Sequence, residues 1–431
     1  MEFIKKLIPE AVLKAVRPFY HGLMAHIASW YFGNPSRRMI VIGVTGTAGK
    51  STTVQMLSRI LNYAGKKTGF ITTVSFFDGE TEFINKHGLS MPGGWLLQKQ
   101  LKTMLSKGCG WAIVECTSEG LAQNRHLGIN LSMAVFTNLS EAHVEAHGGF
   151  TNYRKAKGKL FSALQKSLIL NPKSIIVNGD DENAEYFLSF RADRKIAVGF
   201  NQIEANEDLE VLQAQRTEVG FNLQATQFEI KLVGKFNHYN ALLASAAANA
   251  LGVSITDCAS ALSSFTKIRG RMEPVENNRG ISIFVDYGCE PATFKAALLA
   301  VKELSHTRII HVFGSTGGHR DKQKRFIFGE TSAKFADYII VTNDDIYDSD
   351  PEEIAANIVA GIKKYEVRSK SYEIILDRRQ AIHHALKMAQ PGDIVLFTGK
   401  SSEQFLSLPG NKRIAWDEVE VVKQELNNLN N

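Results

Sequence analysis

Long apolar runs are missing from this 431-residue sequence. No segment approaches the ~20 residues of a membrane-crossing helix, which excludes a helical span. Cysteine is scarce: Cys109, Cys116, Cys258 and Cys289 are the only four, and none pair in C-x-x-C spacing. That excludes a cysteine zinc cluster and suits a reducing, cytoplasmic compartment. A small-residue cleavage site is absent ahead of residue 43, so no secretory leader is expected. The excess of positive charge is mild, +6 at neutral pH, and spread along the chain. Without a basic stripe, nucleic acid is not an expected partner, whereas small anionic substrates are compatible. There is no short-period repeat, and no low-complexity tract beyond the asparagine-rich tail.

What is present divides into three stretches. Residues 1–38 form a basic amphipathic segment. Phe3, Ile4, Leu7, Ile8, Ala11, Val12, Ala15, Val16, Phe19 and Tyr20 recur at helical spacing, with Lys5, Lys6, Lys14 and Arg17 between them. Pro9 is expected to start or break a helix. Such a helix is expected chiefly to pack on the neighbouring domain, although its basic character also suits a peripheral membrane contact. From Met39 to Ile268 strands alternate with helices. Gly69–Val74, Trp111–Cys116 and Leu131–Thr137 imply a largely parallel sheet, with a small antiparallel addition within 195–233 and an alanine-rich helix over 239–252. From 269 to 431 the pattern restarts with strands Ile281–Tyr287, Arg308–Phe313, Tyr338–Thr342, Tyr372–Leu376 and Asp393–Phe397. The fold class is therefore α/β: a parallel-sheet domain, then a Rossmann-like doubly wound domain. Ligands of the second should sit at the carboxyl ends of its strands.

The strongest chemical signal is Gly43-Val44-Thr45-Gly46-Thr47-Ala48-Gly49-Lys50-Ser51-Thr52-Thr53, directly after the apolar run Met39-Ile40-Val41-Ile42. A strand that turns through glycines into a helix presents backbone N–H groups to a triphosphate. Gly46, Thr47, Gly49 and Thr52 belong to that ATP cradle. Lys50 would reach the β- and γ-phosphates, and the Ser51 hydroxyl would ligate Mg²⁺. The spacing is unusual, because Val44 occupies the place where a strict phosphate-binding loop has its first glycine. Glu115 ends a strand, where a carboxylate beside such a loop commonly holds Mg²⁺ or its water. His143 follows Thr137-Asn138-Leu139-Ser140-Glu141-Ala142, and Lys157 sits in a helix that reads as a charged face.

These stretches resemble the successive motifs of the Mur ligase family. The glycine loop, Glu115-Cys116-Thr117-Ser118-Glu119-Gly120-Leu121, Phe136-Thr137-Asn138-Leu139 and Tyr153…Lys157…Phe161 match in order and spacing. So do Val177-Asn178-Gly179-Asp180-Asp181-Glu182, Gly234-Lys235-Phe236-Asn237-His238-Tyr239-Asn240, Gly270-Arg271-Met272-Glu273, Asp286-Tyr287, Gly317-Gly318-His319-Arg320-Asp321-Lys322 and Gly399-Lys400. The likeness is greatest to the MurE-type branch, which adds the third residue of the peptidoglycan stem peptide, and the unusual glycine spacing is the family's own.

The resemblance implies an ATP-dependent amide ligase of peptidoglycan precursor synthesis. In that reaction a substrate carboxylate becomes an acyl phosphate that an amino acid's amine then attacks. Folate, poly-γ-glutamyl or lipid-linked acceptors, or a non-catalytic nucleotide module, are the alternatives. It also implies Ser51 and Glu115 on one Mg²⁺, His143 on a second, and Lys157 as a carbamate, the anionic adduct through which a lysine can ligate metal. Asn240 would contact adenine, Arg271 a phosphate and Asp286 the ribose. Thr117, Gln123 and Arg125 would hold the acceptor. Arg320, Asp344, Asp345, Tyr347, Gly399 and Glu403 would hold the amino acid. The expected state is a monomer.

The sequence departs from the family pattern at defined places. Ala142 replaces an aspartate, Glu119 replaces a histidine, and the family's Asp-Tyr-Ala-His-Thr-Pro block reads Asp286-Tyr287-Gly288-Cys289-Glu290-Pro291. Diaminopimelate-adding members read Asp-Asn-Pro-Arg where this chain has Asp344-Asp345-Ile346-Tyr347, so the arginine clamp on a distal carboxylate is absent. With Asp348 and Asp350 the loop is acidic, which suits a cationic side chain. Residues 1–38 are also too few to form the uridine-nucleotide domain that begins full-length relatives.

Overall fold

The computed structural model describes residues 10–85, 91–140, 147–169, 172–318, 322–365, 371–401, 403–410 and 412–430. The chain divides into two compact units, residues 1–231 with 237–265, and residues 232–236 with 266–431.

In the first unit, α1 (Glu10–Tyr31) leads into β1 (Ile40–Thr45) and α2 (Lys50–Tyr63). β2 (Thr68–Ile71), β3 (Ser75–Phe77) and β4 (Glu82–Ile84) follow, then α3 (Gly94–Ser106), β5 (Trp111–Glu115), α4 (Ser118–Ala122) and β6 (Met133–Phe136). After α5 (Phe150–Gln165) come β7 (Ser174–Asn178), α6 (Ala184–Leu188) and β8 (Arg194–Gly199). β9 (Glu210–Arg216), β10 (Gly220–Leu223), β11 (Thr226–Glu229), α7 (Phe236–Ala250) and α8 (Ile255–Ser263) complete the run.

The strands form one sheet in the order β11-β10-β9-β8-β7-β6-β1-β5-β2-β3-β4. From β9 through β2 every pairing is parallel, and the strands beyond at either end are antiparallel. β1 is buried along nearly its whole length, as expected where helices cover both faces of a parallel sheet. The expected strand Gly69–Val74 stops at Ile71, because the Thr72 hydroxyl accepts hydrogen bonds from the N–H groups of Val74 (3.2 Å) and Ser75 (3.0 Å). That side-chain turn reverses the chain into β3.

The sheet order explains where the chemistry gathers. β5 lies on one side of β1 and β6 on the other, with Val44 opposite Glu115 and Thr45 opposite Phe136. The loop after β1 therefore emerges between the carboxyl ends of β5 and β6, at the switch point of the sheet. α5 covers this region through Tyr153, Lys157, Leu160, Phe161 and Leu164, all buried. Their spacing of four, three, one and three residues is a single helical face.

The second unit holds β12 (Glu273–Pro274), β13 (Ser282–Asp286), α9 (Pro291–Lys302), β14 (Ile309–Phe313), α10 (Gln323–Phe335), β15 (Tyr338–Val341) and α11 (Pro351–Lys364). β16 (Ser371–Ile374), α12 (Arg378–Met388), β17 (Ile394–Thr398), the hairpin β18 (Phe405–Leu408) and β19 (Lys412–Ala415), and α13 (Glu418–Asn430) follow. Its main sheet runs β12-β13-β17-β14-β15-β16, parallel except for β12. Phe294, Leu298, Phe328, Ile354 and Ile358 of α9, α10 and α11 pack in one core. Ala381, Ile382, Val422 and Leu426 of α12 and α13 pack in another. This is the doubly wound arrangement that the alternating sequence pattern implies.

Candidate active site

Each of the three glycines in the stretch 43–49 has a close neighbour. A Cβ on Gly43 would lie 2.6 Å from Leu160 Cδ1, one on Gly46 would lie 1.9 Å from Thr137 Oγ1, and one on Gly49 would lie 2.2 Å from Asn240 Oδ1. Gly49 also caps α2 with φ +78°, a conformation glycine adopts without strain. The spacing 43, 46, 49 thus records contacts with α5, with the segment after β6 and with α7.

That loop is held from outside. Asn138 accepts from the Thr47 N–H through its carbonyl (2.8 Å) and from the Ala48 N–H through its side chain (3.0 Å). The Thr137 hydroxyl donates to the Ala48 carbonyl (2.6 Å), and Thr47 Oγ1 lies 2.9 Å from the Tyr153 hydroxyl. The Lys50 ammonium donates to the Thr47 carbonyl at 2.8 Å, so its cation lies back along the loop it follows. Thr137 and Asn138 fall within a sequence motif, and their task shows only in these contacts. Polar side chains immediately after the strand beside β1 were the available signal.

Ser51 and Glu115 come together. The Ser51 hydroxyl donates to Glu115 Oε2 (2.7 Å), while Thr73 donates to both carboxylate oxygens, from its N–H and its hydroxyl, each at 2.9 Å. A hydroxyl and a fixed carboxylate are hard oxygen donors, the set that Mg²⁺ takes. Among the described residues no group of three or more His, Cys, Asp or Glu side chains could hold a metal.

Lys157 is almost wholly buried, and its Nζ donates to the Gly46 carbonyl at 2.6 Å. Burial pushes its pKa well below the ordinary lysine range; Lys50 adds to that and Glu115 opposes it. His143 lies outside the described residues. Nearby, His147 Nε2 is 3.1 Å from the Ser118 hydroxyl and its ring is 5.3 Å from that of Tyr153. Its pKa is lowered chiefly by burial.

Of the expected acceptor residues, Thr117 caps α4 by accepting from the Gly120 N–H. Gln123 and Arg125 meet: the guanidinium donates twice to Gln123 Oε1 (3.2 and 2.9 Å) and once to the Met91 carbonyl (2.6 Å). Asn240 is buried, donates to Asn237 Oδ1 (3.0 Å) and accepts from the Thr53 hydroxyl (3.4 Å).

In the second unit, the Asp286 carboxylate accepts from the N–H groups of Met272 and Gly288, both at 2.8 Å. It thereby fixes the turn carrying Arg271, whose guanidinium lies 4.7 Å from the centre of the Tyr287 ring. Burial holds the Asp286 carboxyl above its ordinary range, against the pull of Arg271. A small cavity of about 50 Å³ is lined by Ser315, Thr316, Lys324, Asp344, Gly399 and Glu403, among others. Lys400, fully buried, pairs with Asp345 (2.7 Å) and Glu403 and lies 3.9 Å from Asp344. These carboxylates raise its pKa above the ordinary lysine range despite burial.

The acidic loop is less available to a cationic substrate than its composition suggests. Asp345 is engaged by Lys400 and the Ser407 N–H, Asp348 accepts from the Gly410 N–H, and Asp350 caps α11. Tyr347 adopts a positive φ of 49°. Arg320 lies outside the described residues. Lys400 was seen in the sequence only as part of a motif; its pairing across 55 residues has no local signature.

Comparison with known proteins returns the same family for both units. The Mur ligase middle domain model matches residues 44–248, and the Mur ligase, glutamate ligase domain model matches residues 270–401. The chain is 34% identical over 406 residues to the UDP-N-acetylmuramoyl-L-alanyl-D-glutamate--2,6-diaminopimelate ligase of Caldanaerobacter subterraneus subsp. tengcongensis, covering 94% of this chain and 81% of the relative. A solved structure of a ligase of that name superposes with a TM-score of 0.61 at 25% identity, covering 96% of this chain and 83% of the other. The folylpolyglutamate synthase of Mycobacterium tuberculosis shares the fold, with a TM-score of 0.68 at 18% identity, covering 90% and 94%.

Proposed function

The chain belongs to the Mur ligase family and is an ATP-dependent ligase, and from that premise we propose that it joins an amino acid to a carboxylate of a muramoyl-peptide acceptor. UDP-N-acetylmuramoyl-L-alanyl-D-glutamate, named in its relatives, is the acceptor to test first.

Attack of one anion on another needs positive charge at the transferred phosphoryl group. Lys50 supplies it at the start of α2, where the helix N-terminus also favours anions. Ser51 and Glu115 would hold the Mg²⁺ on which the family generally depends, and bound there it would screen the phosphate oxygens. Thr73 keeps the Glu115 carboxylate aimed, and Thr137 and Asn138 keep the loop from moving as charge shifts. The acceptor carboxylate displaces ADP to become an acyl phosphate, and the amine of the amino acid then displaces phosphate with loss of a proton. Gln123 and Arg125 would hold the acceptor, and Arg271 and Asp286 the nucleotide. The cavity beside Asp344, Gly399 and Glu403 would take the amino acid, and Arg320 and Tyr347 would contact it. His143 and a carbamate on Lys157 would serve a second ion.

The observation that carries this reading is Lys157, an amine buried on the inner face of α5 with its pKa driven down. A module that only binds nucleotide needs Lys50 and Ser51 but has no use for that costly group. Only a neutral amine adds CO₂, and the resulting anion would relieve the burden of a buried cation beside Lys50.

The test is phosphate release from ATP and Mg²⁺ across muramoyl dipeptides, folates and glutamyl peptides, each against lysine, diaminopimelate, ornithine and glutamate. Release that requires both a muramoyl acceptor and an amino acid is the expected outcome. Background release with every pair, unchanged by Lys157→Ala, would leave a nucleotide-binding module instead.

A further inference from the structure

We propose that α1, together with Trp95 of α3, is a docking face for an anionic lipid bilayer, a partnership beyond the ligase reaction. The packing of α1 is inverted relative to an ordinary surface helix. Its small residues Gly22, Ala25, Ala28 and Ser29 are buried, and its large ones face outward. A Cβ on Gly94 would lie 2.6 Å from Ala25 Cα, and Ser29 donates to the Gly128 carbonyl at 2.9 Å. The helix is therefore anchored closely through its small face.

Val16, Phe19, Tyr20, Leu23, Ile27, Trp30 and Tyr31 are all exposed, Phe19 at 74% and Trp30 at 77%. At 3.6 residues per turn these seven positions fall within an arc of about 120°. Trp95 extends the face: its ring lies 5.0 Å from that of Tyr31 and 5.3 Å from that of Phe32. A contiguous apolar surface with several aromatic rings is costly to leave in water, and those rings are the groups that settle at a membrane–water boundary.

Charge decides between occupants. The sequence has no aspartate or glutamate between Glu10 and Asp78, while Lys14, Arg17, Arg37 and Arg38 fall in that interval and Lys5 and Lys6 precede it. Arg17, Arg37 and Arg38 are exposed, as are Lys99 and Lys102, four and seven residues beyond Trp95 on α3. A second copy of this face would set like charges against like, whereas anionic headgroups complement them. Among the described residues no helix is long and apolar enough to cross a membrane. The geometry is that of a helix lying on the surface.

The experiment is flotation of the full chain with phosphatidylglycerol-containing vesicles against pure phosphatidylcholine vesicles, at low and high salt, with oligomeric state measured by light scattering. The wild type should float with the anionic vesicles, less so at high salt. Combined Phe19→Ser, Leu23→Ser and Trp30→Ser should lower partitioning by about tenfold or more, with the thermal melt and the ATP-dependent phosphate release unchanged. As a second variant that spares the apolar face, Arg17→Gln with Arg37→Gln and Arg38→Gln should weaken binding severalfold at low salt only. No flotation of the wild type, undiminished flotation of the triple serine variant, or a wild-type dimer that the serine variant dissolves would each overturn the proposal.

Discussion

Replacing Gly46 by alanine places a methyl group 1.9 Å from Thr137 Oγ1 and 3.0 Å from both the N and O atoms of Asn138. Two of those three neighbours are backbone, so the methyl can be accommodated only if the Thr137 hydroxyl leaves the Ala48 carbonyl, now 2.6 Å away, and the loop shifts. The φ of +153° adds a backbone cost that glycine avoids. Overpacking and strain together should cost the first unit about 2–4 kcal/mol. Thr137→Ala alone should cost about 1 kcal/mol, since Asn138 Nδ2 still donates to the same carbonyl at 3.1 Å. In the double variant the closest clashing atom is gone, so the two changes should couple favourably by about 1–2 kcal/mol. Urea unfolding followed by tryptophan fluorescence reads this out, because the first unit contributes Trp30, Trp95 and Trp111 against Trp416 of the second. Affinity for ATP should fall about tenfold in Gly46→Ala as the cradle is displaced. Strict additivity within about 0.5 kcal/mol would refute the claim that Thr137 dictates glycine at this position.

Ser51→Ala should leave stability within about 1 kcal/mol, because Thr73 still binds Glu115, yet raise the half-saturating Mg²⁺ concentration about tenfold in a phosphate-release assay. Lys157→Ala should lower turnover about 100-fold or more. With isotope-labelled bicarbonate, a carbamate resonance should appear in the wild type and not in the variant. Because the Lys157 pKa is lowered, its labelling should grow as pH rises through that lowered value, below the range near 10.4 where ordinary lysines become neutral. Lys400→Met should destabilise the second unit by about 3 kcal/mol by stranding the buried carboxylate of Asp345 and the half-buried one of Glu403, measured through Trp416 fluorescence. Since Lys400 has a raised pKa when folded, its contribution is fully present below the ordinary lysine pKa. The gap between wild type and variant should close only as pH climbs through the higher, folded value.

The α/β fold and the glycine loop were legible in the sequence because their signals are local: β-branched runs, a strand-to-helix turn, and glycines that no other residue replaces. Ser51 and Glu115 each carry a local sign, a hydroxyl opening the helix after the glycine loop and a carboxylate at a strand end, and the family resemblance set both on one Mg²⁺. Thr73, which orients Glu115, could not be found that way, because it stands in what reads as one continuous strand and does its work only after the chain reverses. The acidity of residues 344–350 was legible, whereas its use was not. Whether a carboxylate meets substrate, a buried lysine or a backbone N–H depends on partners tens of residues away. For α1 the periodic pattern was plain in the sequence, but which face is buried depends on Gly94 and Gly128, which are remote in the chain.

The central claim is that the triphosphate is spent to activate a carboxylate. The most direct measurement supplies UDP-N-acetylmuramoyl-L-alanyl-D-glutamate with heavy oxygen in its carboxylates, together with ATP, Mg²⁺ and the amino acid, and follows the label by mass spectrometry. An acyl phosphate intermediate predicts one labelled oxygen in the phosphate released for every amide bond formed. Amide formation with unlabelled phosphate, or phosphate release without any amide product, would contradict the account.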